Sequence, residues 1–164
     1  MSLMLCVCLL HMNAQTGTED MPEPKKNSIY LEGLGNGFYY SVNYDHLFSM
    51  KNNPKIGVGT RIGISYGTYK WIFGMRFTLT TLPAEIYFSY GKKSCLELGL
   101  GYTTVFEEYI SVFEENNREG IITFRSSYKY RGPKGFIFGV GVLAHMDSYG
   151  IIFPYPHLSI GFSF

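Results

Sequence analysis

The segment 80–102 alternates bulky apolar side chains with small or polar ones, and this pattern constrains the fold more than any other part of the chain. A period of two is that of β-strands, so the segment predicts two strands joined by a tight polar turn at 91–94. The bulky row consists of Thr80, Leu82, Ala84, Ile86, Phe88, Tyr90, Leu96, Leu98, Leu100 and Tyr102. The opposite row is small apart from Pro83, Tyr87 and one carboxylate on each strand, Glu85 and Glu97. A bulky apolar row opposite small and charged residues is typical of a lipid-facing barrel wall around a narrow polar interior.

Composition agrees with a single barrel domain. The 164 residues suffice for one domain, and 17% aromatic residues beside 16% charged residues exclude a disordered chain or a coiled coil. The formal net charge is only +1, and no basic stripe alternates with stacking aromatic residues. We therefore expect no nucleic-acid partner.

The N-terminus has the pattern of a secretory signal. An apolar core at 3–10 is followed by small and polar residues at 13–15, which predicts a signal peptide at 1–14 with cleavage after Ala14. The basic residues that usually precede such a core are missing, which leaves open a truncated start. The apolar run is shorter than the roughly 20 residues that a membrane-spanning helix needs. Residues 15–27 are then a flexible leader, and Cys95 is the one cysteine of the mature chain.

The barrel domain is predicted to span 28–164. Alternation and turn residues predict eight strands, at 28–35, 38–48, 55–67, 75–90, 95–106, 120–130, 136–144 and 155–164. Asn36 and Gly37 predict a two-residue hairpin turn between the first two strands. Pro83 predicts a bulge and a kink in the fourth. The sequence leaves open which face of the first strand points outward.

The predicted connections differ in length between the two rims. Short turns near 49–54, 91–94 and 131–135 share one rim, and longer loops near 67–74, 107–118 and 145–153 share the other. Short periplasmic turns with longer outside loops are the layout of outer-membrane barrels. A soluble lipocalin-type barrel would instead place its bulky residues inside. The predicted fold is therefore an all-β, eight-stranded antiparallel barrel in the outer membrane.

Charged residues collect on the predicted inward rows. The candidates are Glu32, Arg61, Glu85, Glu97, Arg125 and Lys129, with Asp45 beside them. Because an unpaired buried ion costs several kcal/mol, we expect these residues to form salt bridges. Two functions fit such a set: a structural network that fills the lumen, or a path for ions or small solutes. Eight strands leave an interior that side chains just fill, which favours the structural network.

His157 and Ser159 form the candidate catalytic pair. They share a face two residues apart, a spacing similar to the His-x-Ser pair that outer-membrane lipid A deacylases combine with a carboxylate. The predicted register points both into the lumen, away from a lipid substrate, so a lipid-modifying enzyme is the weaker alternative. The glycines match neither a dinucleotide nor a phosphate-loop spacing, and no histidines lie at metal-ligand spacing, so no cofactor or metal is expected.

Three segments, 31–48, 82–102 and 156–164, resemble the small outer-membrane β-barrel proteins of Bacteroidetes-type bacteria. The alternating row at the C-terminus also resembles the assembly signal read by the outer-membrane insertion machinery, and consists of Leu158, Ile160, Phe162 and Phe164. The resemblance implies contact with outer-membrane lipid and lipopolysaccharide, assembly by that machinery, and a monomer. It implies no catalytic residue, because many such proteins have no assigned activity. We expect a structural or surface-interaction role, with the acidic segment 107–117 as the first candidate contact.

Overall fold

The computed structural model describes residues 25–50, 53–70, 76–109, 117–146, 150 and 152–164. These residues form eight strands: β1 (Asn27–Gly33), β2 (Tyr40–Met50), β3 (Asn53–Lys70), β4 (Arg76–Gly91), β5 (Ser94–Tyr109), β6 (Asn117–Arg131), β7 (Phe136–Met146) and β8 (Ile152–Ser163). Each strand pairs antiparallel with its neighbour in the chain, and β8 pairs with β1. The sheet is a closed barrel, and the predicted fold class is confirmed. No helix in the described ranges is long and apolar enough to cross a bilayer.

Exposed and buried side chains alternate through the middle of each strand, as the period of two requires. On β4, Ile86 is 63% exposed, whereas the neighbouring Glu85 and Tyr87 are buried. The structure also shows which face of β1 points outward, a question that the sequence left open: Leu31 points outward and Glu32 inward. The barrel therefore has the inside-out pattern of a protein whose outer wall contacts hydrocarbon.

The strands are strongly staggered around the barrel. Starting from Ile29 on β1, the residue paired directly across each successive strand can be followed around the barrel. Through β2, β3, β4 and β5 the path reaches Ile122 on β6, whereas through β8 and β7 it reaches Gly132, just after β6. The two end points lie ten residues apart, which is the shear of the barrel. Eight strands closed with a stagger of this kind enclose a space just wide enough for side chains.

The connection between β1 and β2 corrects the predicted hairpin turn. It spans six residues, 34–39, and both Leu34 and Phe38 have positive φ angles, 54° and 67°. The two-residue turn at Asn36 and Gly37 was wrong because Asn36 is drawn into the barrel. Its backbone N–H donates to the Glu32 carboxylate at 3.0 Å, a contact that a tight hairpin turn would not allow.

The bulge predicted at Pro83 is also wrong. The β3–β4 ladder passes from the pair of Ile62 and Ala84 to the pair of Ser65 and Thr81 without a change of register, so no residue is inserted. The ladder instead omits the pairings at Pro83 and its neighbour, because proline has no N–H to donate. The described irregularity in register lies at Ser49 and Met50, next to the short β2–β3 turn.

Four consecutive strands are longer than the rest. β3 to β6 have 18, 16, 16 and 15 residues, whereas β1, β2, β7 and β8 have 7, 11, 11 and 12. Much of the extra length lies at the rim that holds the longer connections, where β5 continues to Tyr109 and β6 begins at Asn117. Part of the loop predicted at 107–118 is therefore strand, while its centre at 110–116 lies outside the described residues.

The lipid-facing wall predicts a depth-dependent cost for buried charge. Ile86→Arg, near the middle of β4, should lower the free energy of unfolding by about 2–4 kcal/mol in a bilayer, because arginine on the lipid face at mid-depth is expensive. Tyr90→Arg, on the same face but near the rim, is the matched control and should cost about 0–1 kcal/mol. Urea unfolding in lipid vesicles measures both. Equal small effects would mean that this wall does not face hydrocarbon.

Candidate functional site

Eight side chains of aspartate, glutamate, lysine and arginine occupy the lumen in the described strands, four acidic and four basic. They are Glu32, Asp45, Glu85, Glu97, Arg61, Arg125, Lys129 and Arg131. Each is at most 8% exposed, and their formal charges sum to zero. Charges held in so narrow a polar space are tolerated when each has a partner of opposite sign.

Arg61 and Glu97 form the first centre of this network. The guanidinium of Arg61 lies 2.9 Å from Glu97 and 2.8 Å from Glu85, with Asp45 at 3.5 Å. Glu97 also lies 3.3 Å from Arg131. One carboxylate therefore binds cations from two strands besides its own, which fixes the separation of β3, β5 and β6 across the lumen.

Arg125 forms the second centre. It donates two hydrogen bonds to Glu32, at 2.8 and 3.0 Å, in the bidentate geometry that makes arginine–carboxylate pairs strong. Its Nε donates to Glu85 at 2.9 Å. Because Glu85 also binds Arg61, the two centres form one continuous network.

Lys129 completes the network beneath two tyrosine rings. Its ammonium group lies 2.8 Å from Asp45 and 3.1 Å from Glu97. It also lies 5.1 Å from the ring centroid of Tyr30, and Arg61 lies 4.8 Å from that of Tyr87, distances at which cation–π attraction operates. The rings thus fill the space between the ion pairs with groups that favour cations.

The six-residue connection 34–39 lies over the network as a plug. Asn36 is buried, and its side-chain amide donates to Glu85 at 2.8 Å while its backbone N–H donates to Glu32. The ring of Phe38 packs edge-on against His145, 5.4 Å between centroids. The loop is therefore joined to the ion pairs by hydrogen bonds and to the barrel wall by an aromatic contact. The side chains of the strands and the connection 34–39 together fill the middle of the lumen.

The candidate catalytic pair lies in this same interior. His157 is buried, with Arg125 Nη1 3.3 Å from its ring nitrogens and a Glu32 oxygen 3.9 Å from Nδ1. Ser159 is buried beside it along β8. Within the described residues no hydrogen bond joins the histidine to the serine. The pair lacks the contact between base and nucleophile on which this kind of catalysis depends.

The residues of the candidate assembly signal point outward. Leu158, Ile160, Phe162 and Phe164 are all more than half exposed on the lipid side of the C-terminal strand segment. They form an uninterrupted apolar row on the strand that closes the barrel against β1.

The structure brings together all six predicted lumen residues and adds partners that the sequence reasoning missed. Arg131 was assigned to a turn, although it continues the inward row of Arg125, Ser127 and Lys129 at a spacing of two. This alternation is the sequence signal that would have identified Arg131 as a lumen residue. Asn36 was assigned to a hairpin turn, because an Asn-Gly dipeptide favours one.

No protein-family model and no curated protein matches this chain. The solved structures with a similar fold include the two that follow. The crystal structure of Ail, the attachment invasion locus protein of Yersinia pestis, in complex with the heparin analogue sucrose octasulfate, has a TM-score of 0.59 at 11% identity, covering 86% of this chain and 99% of that one. The backbone structure of the Yersinia pestis outer membrane protein Ail in a phospholipid bilayer nanodisc has a TM-score of 0.52 at 13% identity, covering 85% and 99%. The likeness concerns the fold, and it fits the predicted outer-membrane location.

The network predicts a large loss of stability when one partner of a buried pair is removed. Glu97→Leu and Arg125→Leu should each lower the free energy of unfolding by about 3–5 kcal/mol, because each leaves oppositely charged neighbours buried without a counter-charge. Thermal unfolding in detergent measures the loss. Samples are heated to increasing temperatures, and the fraction that migrates as the folded band on a gel gives the unfolding midpoint.

Ser126→Ala is the control for these variants. Ser126 lies next to Arg125 but faces outward, so its replacement should leave the unfolding midpoint unchanged. Unchanged midpoints for Glu97→Leu and Arg125→Leu as well would show that the lumen charges do not stabilise one another.

Proposed function

We propose that this chain is an integral outer-membrane protein whose filled barrel anchors a projecting sheet for contact with a partner at the cell surface. The observation that carries the proposal is the extension of β3 to β6 beyond the barrel at the rim of the longer connections. The proposal keeps the resemblance to small barrels of Bacteroidetes-type bacteria, which rests on the three sequence segments alone. Assembly as a monomer by the insertion machinery is part of the same proposal.

An open strand edge supports this function. The ladder between β2 and β3 ends at Val42 and Ile64, whereas β3 continues to Lys70 paired with β4. Among the described residues, the segment 67–70 therefore has a strand neighbour on one side only. Unpaired N–H and C=O groups of an edge strand are a template on which an extended segment of another chain can pair.

The filled lumen supports an anchor rather than a pore. Four cations and four carboxylates are paired across the interior, and Asn36 joins the connection 34–39 to them. An ion moving through this space would have to break several of these contacts at once. Interaction at the rim requires no change in the network.

The likeness to Ail suggests a first class of ligand to screen. Ail was crystallised with the heparin analogue sucrose octasulfate. Sulfated glycans are therefore the first candidates to test on the purified protein, with protein partners that add a strand as the second.

Topology provides the main test of the proposal. An epitope tag inserted at Asn116, between β5 and β6, should be reached by antibody on intact cells, because an even-stranded barrel places all connections of this rim on one side. A tag at Lys93, in the β4–β5 turn, is the matched control and should be reached only after the cells are opened. Access to the Lys93 tag alone would place the projecting sheet in the periplasm.

Two measurements separate the anchor from its alternatives. Planar-bilayer recordings of the purified protein should show no stable conductance, whereas a narrow ion or solute pore would give discrete openings. Mass spectra of lipid A from cells with and without the protein should be identical, because we propose no enzymatic activity. Altered acylation that disappears in His157→Ala would instead support a lipid A deacylase.

A further inference from the structure

The rim that holds the short turns has an excess of positive charge. Five lysines converge there from the segment before β1, the β4–β5 turn and the β6–β7 turn, and we call them the basic collar: Lys25, Lys26, Lys92, Lys93 and Lys134. Four are exposed and Lys92 is half-buried. The turn segments 49–54, 91–94 and 131–135 contain no aspartate or glutamate. The collar is thus a ring of cations drawn from separate parts of the chain.

Within the described residues, none of the five collar lysines forms a salt bridge with a carboxylate. The lumen carboxylates are already bound, Glu97 by three cations and Asp45 by two. Since the lumen charges sum to zero, the positive field of the collar is not cancelled from inside.

At the opposite rim, which also includes Lys70 and Arg76, acidic residues outnumber basic ones in the sequence. The segment 107–119 contains five glutamates and a single arginine, Arg118. The net charge of +1 for the whole chain therefore conceals a strong polarity along the barrel axis. A charge separation of this kind favours different partners at the two rims.

Aromatic residues show how deep the collar lies. Tyr90, Phe162 and Phe164 are exposed on the outer wall just inside this rim, where aromatic rings mark the boundary between hydrocarbon and water. The ammonium group of Lys93 lies 5.6 Å from the ring centroid of Tyr130. Lysine chains directly beyond such a belt extend their charge to the level of lipid phosphates.

We propose that the basic collar binds the headgroups of anionic phospholipids in the leaflet beside the short turns. Phosphatidylglycerol offers a phosphodiester with a net negative charge, whereas the amine of a zwitterionic lipid offsets its phosphate. Each lysine near an anionic surface contributes favourably, and five act together around one rim. This inference depends on the barrel spanning a membrane and not on the partner proposed at the other rim.

Native mass spectrometry of the full chain in detergent tests the collar, with phosphatidylglycerol and phosphatidylcholine of equal acyl chains added at equal concentration. The wild type should bind more phosphatidylglycerol. The triple variant Lys92→Gln, Lys93→Gln, Lys134→Gln should reduce the ratio of the two bound lipids on the order of tenfold or more. The fold should survive, because Lys92 and Lys93 contribute backbone carbonyls, not side chains, to the turn contacts with Cys95 and Arg131.

The matched control is Lys70→Gln with Arg76→Gln, which removes two cations at the opposite rim and should leave the ratio unchanged. The corresponding triple arginine variant should restore the preference, and gel migration without heating verifies that every variant is folded. Equal binding of the two lipids by the wild type, or an equal loss in the control, would overturn the proposal. Displacement of phosphatidylglycerol by millimolar inorganic phosphate would also overturn it, because the collar would then be a site for free phosphate.

Discussion

The rest of the structure depends on the neutralisation of charge inside a narrow barrel. The outer wall faces hydrocarbon, so the charged side chains that point inward must find their counter-charges within the lumen. Glu85 binds both Arg61 and Arg125, and thereby connects β3, β4 and β6 through side chains as well as through the ladder. The ion pairs act as the core of the protein, in the place where a soluble barrel packs aliphatic side chains.

Space limits this arrangement as strongly as charge does. Large groups such as Tyr87 and Glu85 fit only where a neighbouring strand has no side chain. The Tyr87 ring lies over Gly59 and the Glu85 carboxylate over Gly99, where any Cβ would overlap them. Small residues on the inward rows therefore make room for the large ones on the adjacent strands. The same constraint explains the plug, because the connection 34–39 can enter only with its small and polar residues, Gly35, Asn36 and Gly37, turned inward.

The sequence could predict which residues face the lumen but not how they meet there. Lipid favours apolar side chains and the lumen favours polar ones, so residue type alternates along each strand. This alternation alone assigns Arg61 and Glu85 to the interior. Pairing is different, because Arg125 and Glu32 are 93 positions apart and meet only when the barrel closes. Local rules also failed where a distant group competed: the Asn36–Gly37 dipeptide favours a hairpin turn, but the buried Glu32 carboxylate captures the backbone instead.

A filled lumen places function on the outer surfaces of the barrel. A protein that only sealed the membrane would gain nothing from strands that continue past the interface, and an open edge carries a risk of unwanted pairing. The extension of β3 to Lys70 beyond its last pairing with β2 is the edge that the proposed contact with a partner would use. Because the described ion pairs involve no residue of 67–70, 76–79, 105–109 or 117–120, the projecting sheet can vary in sequence and contact without breaking any of them.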